Sequence, residues 1–267
     1  MDISTRRITL PNGISLHLRE GGQGGPTTLF LHGWAVPGDV WDPVLARWPS
    51  AAGRVIAPDL RGTGWSSKPR DGYALEDDVQ DVVALIDALA LEDVVLVGHS
   101  KGGAIAQRVA LERPKALRSL VLVCAVPASG MPLDDGTIGF FRSLCGHRDG
   151  AAQLLGMVMA KKPAAATFEA MVDKMASVCI ESLLGGFDAW RTANFADTIG
   201  AIAAPTLVIA GGGEQVLPPA LLQQTIVDRI PGARMVVLDG IGHYPQLEAP
   251  DELTAALLAG IGNSTAA

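Results

Sequence analysis

Residues 94–104 read VVLVGHSKGGA, and this stretch decides the fold. A short run of branched apolar residues is typical of a buried strand, and here it ends in a Gly-x-Ser-x-Gly motif. Apolar residues then recur at helical spacing over residues 104–111. The pattern predicts a strand, a sharp turn and a helix, with Ser100 at the apex. Gly98 and Gly102 suit such a turn because a Cβ at either position would collide across it.

The predicted turn strains the backbone of Ser100 and holds its hydroxyl clear of the sheet edge. The backbone N–H of Lys101 opens the helix and faces the same space, while its ammonium group is expected to face solvent. Gly-x-Ser-x-Gly also occurs by chance, and a flexible turn is the simpler interpretation. The strand and helix patterns on either side favour a nucleophilic serine.

Length and composition limit the classes of protein to consider. The 267 residues can form one large α/β domain. A net charge of −7 argues against nucleic acid or an anionic membrane as a partner. Cys124, Cys145 and Cys179 are odd in number and widely spaced, which predicts buried free thiols in a reducing compartment. Because we find neither a signal-peptide core nor a membrane-spanning apolar run, we expect a cytoplasmic protein.

Short apolar strands alternate with amphipathic helical stripes along most of the chain. This alternation predicts an α/β fold with a mainly parallel sheet covered by helices on both faces. An antiparallel hairpin precedes it, where two short strands flank the turn signal at residues 11–13. Further helices are predicted over residues 41–48, 219–230 and 248–261, the last entered through Pro250.

The alternation breaks after Val126-Pro127, and no strand is evident from residue 128 to 195. Phenylalanine, leucine and methionine recur there in helical groupings. We therefore predict a helical cap at 128–195, inserted into a core made of residues 1–127 and 196–267. The apolar side chains of the cap are expected partly to pack on the core and partly to line a pocket for a small-to-medium acyl or aryl group.

A serine hydroxyl becomes a good nucleophile only when a base accepts its proton. His243 lies in a glycine-rich loop after the last predicted strand, late in the chain as the order serine, acid, histidine requires. A solvated loop histidine is the simpler interpretation of that residue. Glu214 is the only ionisable residue in the loop 211–218 and is our choice for the acid. Asp134 and Asp135, which follow another strand, are the alternative acids.

The oxyanion that forms during acyl transfer needs two hydrogen-bond donors held in place. The backbone N–H groups of Lys101 and Trp34 are the candidates, and the Trp34 indole is also expected to pack in the core or wall the pocket. The sequence contains no Gly-x-Gly-x-x-Gly or Walker motif, and no His, Cys or Asp grouping has metal-ligand spacing. We therefore expect no cofactor and no metal.

Four motifs together resemble the α/β-hydrolase superfamily. They are His32-Gly33-Trp34, Asp59-x-Arg61-Gly62-x-Gly64-x-Ser66, the stretch around Ser100, and Gly240-x-Gly242-His243 followed by Glu248-x-Pro250. The resemblance implies an eight-stranded sheet, a cap inserted after the sixth strand, and a triad of serine, acid and histidine. Within the superfamily, three features are similar to cofactor-free haloperoxidases, a branch that includes perhydrolases and aryl esterases. They are the His32-Gly33-Trp34 motif, Val126-Pro127 and residues 194–197.

The chain departs from the usual superfamily pattern at the acid, where Glu214 stands in place of aspartate. In this it resembles some lactonases of the same fold. The resemblance implies a serine hydrolase acting on a small-molecule ester or lactone. The alternatives are perhydrolase or haloperoxidase activity at the same site, and a non-catalytic small-molecule receptor on this fold. A homo-oligomer is compatible with the sequence.

Overall fold

Eight strands form one sheet in the computed structural model, which describes residues 1–262. The last five residues of the predicted core therefore lie outside the described part. The strands are β1 (Ile3–Thr9), β2 (Ser15–Gly21), β3 (Thr27–Leu31), β4 (Arg54–Pro58), β5 (Val94–His99), β6 (Leu117–Val123), β7 (Thr206–Gly211) and β8 (Arg234–Leu238). Their order across the sheet is β1-β2-β4-β3-β5-β6-β7-β8. β2 pairs antiparallel with β1, which forms the predicted hairpin, and also with β4. All other neighbouring strands pair parallel.

Helices cover both faces of the sheet, which confirms the predicted α/β-hydrolase fold class. They are α1 (Asp42–Leu45), α2 (Leu75–Ala88), α3 (Lys101–Glu112), α4 (Asp135–Ser143), α5 (Arg148–Val158), α6 (Ala165–Ala176), α7 (Ile180–Arg191), α8 (Pro219–Leu222), α9 (Pro245–Glu248) and α10 (Pro250–Gly262). Among the described residues, no helix combines the length and apolar character needed to cross a membrane.

The central strand β5 is buried along its whole length, because it has neighbours on both sides and helices on both faces. Its alternate side chains enter two different apolar clusters. Val94 and Leu96 pack in one cluster, and Val95 and Val97 pack in the other. This explains why the strand reads as a continuous apolar run instead of an alternating one.

Residues 128–195, which we call the helical insertion, lie between β6 and β7 and contain α4 to α7. Their side chains join both apolar clusters: Phe187 and Trp190 belong to one, Leu155 and Met171 to the other. The insertion thus contributes to the apolar packing on both faces of the sheet. Its division from the rest as a separate cap stays a prediction.

Some predicted helices are shorter than expected. The one predicted over 41–48 is a 3₁₀ turn, Gly38–Trp41, followed by the four residues of α1. The one over 219–230 is α8 followed by a π-helical turn, Gln223–Val227. Apolar periodicity in a short stretch does not distinguish these helix types, since all of them bring residues three to five apart onto one face.

The three cysteines are free, but only Cys124 is buried. The expectation of three buried thiols was therefore wrong for Cys145 and Cys179, which are partly exposed. Both lie in the helical insertion. The Cys179 thiol donates a hydrogen bond to the backbone carbonyl of Gly62, 3.4 Å away.

Candidate active site

The turn between β5 and α3 has the strained geometry expected from its sequence. Ser100 adopts φ 52° and ψ −119°, a conformation that side-chain-bearing residues rarely adopt. A Cβ on Gly98 would lie 2.3 Å from the carbonyl oxygen of Gly102, and one on Gly102 would lie 2.5 Å from that of His32. Both glycines are therefore required by close backbone contacts, and the turn presents the Ser100 side chain at the edge of the sheet.

Three predicted site residues, Ser100, His243 and Glu214, come together at the ends of parallel strands. His243 Nε2 lies 3.0 Å from Ser100 Oγ, and His243 Nδ1 lies 2.5 Å from Glu214 Oε2. The three residues are 9%, 8% and 4% exposed, respectively. A carboxylate can only accept from Nδ1–H, so the neutral ring keeps the lone pair of Nε2 for the serine hydroxyl. The arrangement can move a proton from Ser100 to His243.

The local contacts of Glu214 keep its carboxylate ionised. Its Oε1 accepts backbone hydrogen bonds from Val216 at 2.7 Å and Leu217 at 3.3 Å. Burial alone would raise the pKa of Glu214, but the neighbouring His243 and these N–H donors lower it below its usual value. The alternative acid, Asp134, is exposed and caps α4 by accepting from the backbone N–H of Thr137.

The two backbone N–H groups proposed for the oxyanion are both available. Within residues 1–262, neither the N–H of Trp34 nor that of Lys101 donates to another protein group. Lys101 is the first residue of α3, where helix geometry leaves the N–H without an intrahelical acceptor. The backbone before Trp34 lies against the serine, since a Cβ on Gly33 would be 3.0 Å from Ser100 Cβ.

The expectation that the Lys101 ammonium faces solvent is wrong. Lys101 is buried, and its Nζ lies 2.7 Å from Oδ2 of Asp78 on α2. Burial raises the pKa of Asp78, an effect that the ammonium of Lys101 and the guanidinium of Arg61 oppose. The sequence did contain a signal that Asp78 is buried and needs a cation. Asp78 lies at the same helical spacing as the apolar residues that α2 buries.

Glu248 holds the loop that carries His243, a role that the sequence did not indicate. It is buried and accepts backbone hydrogen bonds from Gly242 and Tyr244, each at 2.9 Å, on either side of the histidine. It also accepts from the N–H of Lys161 in the helical insertion, at 2.8 Å. The N–H of His243 itself donates to the carbonyl of Val158, at 2.9 Å. The histidine loop and the insertion are therefore joined by hydrogen bonds.

Two further buried histidines support the site. His99 Nε2 donates to the backbone carbonyl of His243, at 2.7 Å. His32 Nε2 accepts from the N–H of Leu60, at 2.9 Å, which fixes the loop after β4. Burial lowers the pKa of His32 to about 4 and also lowers that of His99, so both rings stay neutral near neutral pH.

An apolar cavity of about 500 Å³, its opening included, lies above Ser100. Apart from Ser100, His243 and Tyr244, its walls are apolar side chains from the insertion and from the loops after β3, β6 and β7. These are Trp34, Val126, Met131, Phe141, Leu154, Val158, Trp190, Val216 and Leu217. Among the described residues 1–262, no lysine, arginine, aspartate or glutamate lines it, so the cavity suits an uncharged, apolar group.

Known proteins resemble this chain along nearly its whole length. A non-heme chloroperoxidase, CPO-A1 from Kitasatospora aureofaciens, is 30% identical over 88% of this chain and 90% of its own. A bifunctional esterase/perhydrolase, DCH from Acinetobacter calcoaceticus, is 27% identical over 91% and 94%, respectively. The solved structure of Est816, an N-acyl homoserine lactone degrading enzyme, has a TM-score of 0.76 and 29% identity over 95% of this chain and 99% of that one. A model of the alpha/beta hydrolase family matches residues 28–257. This chain therefore belongs to the alpha/beta hydrolase family.

Proposed function

We propose that this chain hydrolyses carboxylic esters and lactones that carry a small-to-medium apolar acyl or aryl group. The observation that carries the proposal is the hydrogen-bonded series from Ser100 Oγ through His243 to Glu214, facing an apolar cavity. A base in contact with the hydroxyl and an acid in contact with the base are the arrangement that nucleophilic acyl transfer requires.

In the proposed reaction, Ser100 Oγ attacks the acyl carbon while His243 Nε2 takes the hydroxyl proton. Glu214 holds the ring and stabilises the imidazolium, and the N–H groups of Trp34 and Lys101 stabilise the oxyanion. His243 then gives the proton to the leaving alcohol, or to the ring oxygen of a lactone. Water attacks the acyl-enzyme with His243 again as base, which releases the acid and restores Ser100.

Perhydrolysis is a second candidate function at the same site. The names of two relatives, a chloroperoxidase and an esterase/perhydrolase, favour it. Hydrogen peroxide would replace water in the second half of the reaction and release a peroxy acid. Peracid formation from acetate and hydrogen peroxide distinguishes this activity from simple hydrolysis.

The decisive experiment measures purified protein against p-nitrophenyl esters of graded chain length and a panel of lactones. We expect turnover of short and medium apolar substrates, reduced by several orders of magnitude in Ser100→Ala. A variant that kept activity within about tenfold of wild type would remove Ser100 from the mechanism. Binding of these compounds without turnover would instead indicate a receptor.

A further inference from the structure

The Cys124 thiol takes no part in the proposed reaction, yet it lies beside two residues that do. Cys124 follows β6 and is fully buried. Its Sγ, a carboxylate oxygen of Glu214 and a ring nitrogen of His243 all lie within 4.8 Å of one another. Within residues 1–262, this is the one group of three such side chains close enough to share a metal ion. Thiolate, carboxylate and imidazole are the donors that zinc binds in proteins.

We propose that Cys124, Glu214 and His243 form an inhibitory zinc site. In this site the ion binds between Glu214 and His243 and takes the place of their hydrogen bond. The inference rests on the proposed function, because inhibition presupposes that His243 acts as the base. The three ligands are far apart in the sequence, because each lies just after a different strand, β6, β7 or β8. Sequence spacing could not reveal them.

Binding inactivates the site by changing which ring nitrogen carries the proton. The zinc ion bonds to Nδ1 of His243, and the proton on that atom moves to Nε2. The Cys124 thiol loses its proton to solvent, so thiolate and carboxylate together balance the two positive charges of the ion. No electron is transferred. With a proton on Nε2, His243 can no longer accept one from Ser100 Oγ.

The required movements are small. Zinc–ligand bonds of 2.0–2.3 Å in a tetrahedral site place the donor atoms roughly 3.4–3.6 Å apart. The pair formed by His243 Nδ1 and Glu214 Oε2, now 2.5 Å apart, therefore opens by about 1 Å. The thiol, which lies within 4.8 Å of both other donor atoms, closes by at most about 1.4 Å. A water molecule supplies the fourth ligand.

The first test measures ester turnover after incubation with zinc chloride and again after adding EDTA. We expect zinc to abolish wild-type activity and EDTA to restore it. Relative to its own zinc-free activity, Cys124→Ala should need at least about tenfold more zinc for half inhibition. Cys145→Ala and Cys179→Ala are the matched controls and should be inhibited like wild type. Equal sensitivity of Cys124→Ala and wild type would overturn the proposal.

The second test does not depend on activity. In the Ser100→Ala protein, cobalt(II) bound at one equivalent per chain should produce a thiolate-to-metal absorption band in the near ultraviolet. The band should be missing from Ser100→Ala/Cys124→Ala. Absence of the band in Ser100→Ala also overturns the proposal. Because the band reports the site even in a protein without ester turnover, failure of the zinc site and failure of the proposed function can be distinguished.

Discussion

The Lys101 ammonium lies 2.7 Å from a carboxylate oxygen of Asp78, although Lys101 directly follows Ser100 in the chain. Both side chains are buried, and the pair links α2 to the first turn of α3. The side chain thus stabilises the helix whose first backbone N–H is proposed to bind the oxyanion. We infer that it contributes to stability more than to the chemistry of the reaction.

Replacing one partner of this ion pair should destabilise the fold. Lys101→Met leaves Asp78 buried without its cation, and we expect the free energy of unfolding to fall by about 3–5 kcal/mol. Lys101→Met/Asp78→Leu should recover most of that loss, because it removes both charges. Urea denaturation measures both variants. A single variant within about 1 kcal/mol of wild type would mean that the pair behaves like a surface ion pair.

Glu214→Gln should reduce ester turnover far more than Asp134→Asn does. Glutamine can still accept a hydrogen bond, but it does not carry the charge that stabilises the His243 imidazolium, so we expect kcat to fall by up to about 10⁴-fold. Asp134→Asn is the matched control, since that exposed residue caps α4. Steady-state kinetics decides between them, and the reverse order would transfer the role of acid to Asp134.

Glu248→Gln should lower kcat with little change in KM. Three backbone N–H groups share the two oxygens of Glu248, whereas glutamine has one oxygen and must turn its own N–H₂ toward at least one donor. We expect the histidine loop to shift and kcat to fall by about 10–100-fold.

Glu252→Gln, an exposed change on α10, is the matched control for Glu248→Gln and should leave kcat unchanged. The measurement compares kcat per active site at temperatures where each variant is fully folded. A Glu248→Gln protein that is less stable but has wild-type kcat would show that the residue supports only the fold.

Acid should destabilise the protein through its buried histidines. Burial lowers the pKa of His32 from 6.5 to about 4, so between these pH values the unfolded chain binds a proton that the folded chain does not. Stability is therefore fully present above pH 6.5 and falls with pH down to about 4, by about 3 kcal/mol for this residue. His99, whose pKa burial also lowers, adds a loss in the same direction.

Urea unfolding near pH 7 and near pH 4.5 measures this acid effect. His32→Gln should be less stable than wild type near pH 7, because it disturbs the hydrogen bond from Leu60. It should nevertheless lose less stability on acidification, since an amide does not titrate in this range. Equal losses in the two proteins would contradict the assignment to His32.

The predictions that succeeded rest on short stretches whose chemistry is local. The strand, turn and helix around Ser100 follow from apolar spacing and from two glycines that make close backbone contacts. The position of His243 after the last strand also follows from chain order. These features need no knowledge of distant partners, since parallel strands end at the same edge of a sheet.

The features that were missed depend on contacts between distant residues. The acceptor for the Lys101 side chain is on another helix, and the three donors that surround Glu248 come from two different segments. Cys124 reads as a small apolar residue at the end of a strand, and only the folded chain shows that its thiol adjoins Glu214 and His243. Residue type and spacing do not encode which side chain meets which across a core.

The hydrogen bonds between the helical insertion and the histidine loop limit how this enzyme can be re-engineered. A chimaera that exchanges residues 128–195 for a foreign segment also replaces the carbonyl of Val158 and the N–H of Lys161, which bind the His243 loop. Part of the cavity wall and the position of His243 are thereby tied to one polypeptide segment. A graft that begins beyond residue 161 keeps both anchor points and replaces Trp190 in the wall of the cavity.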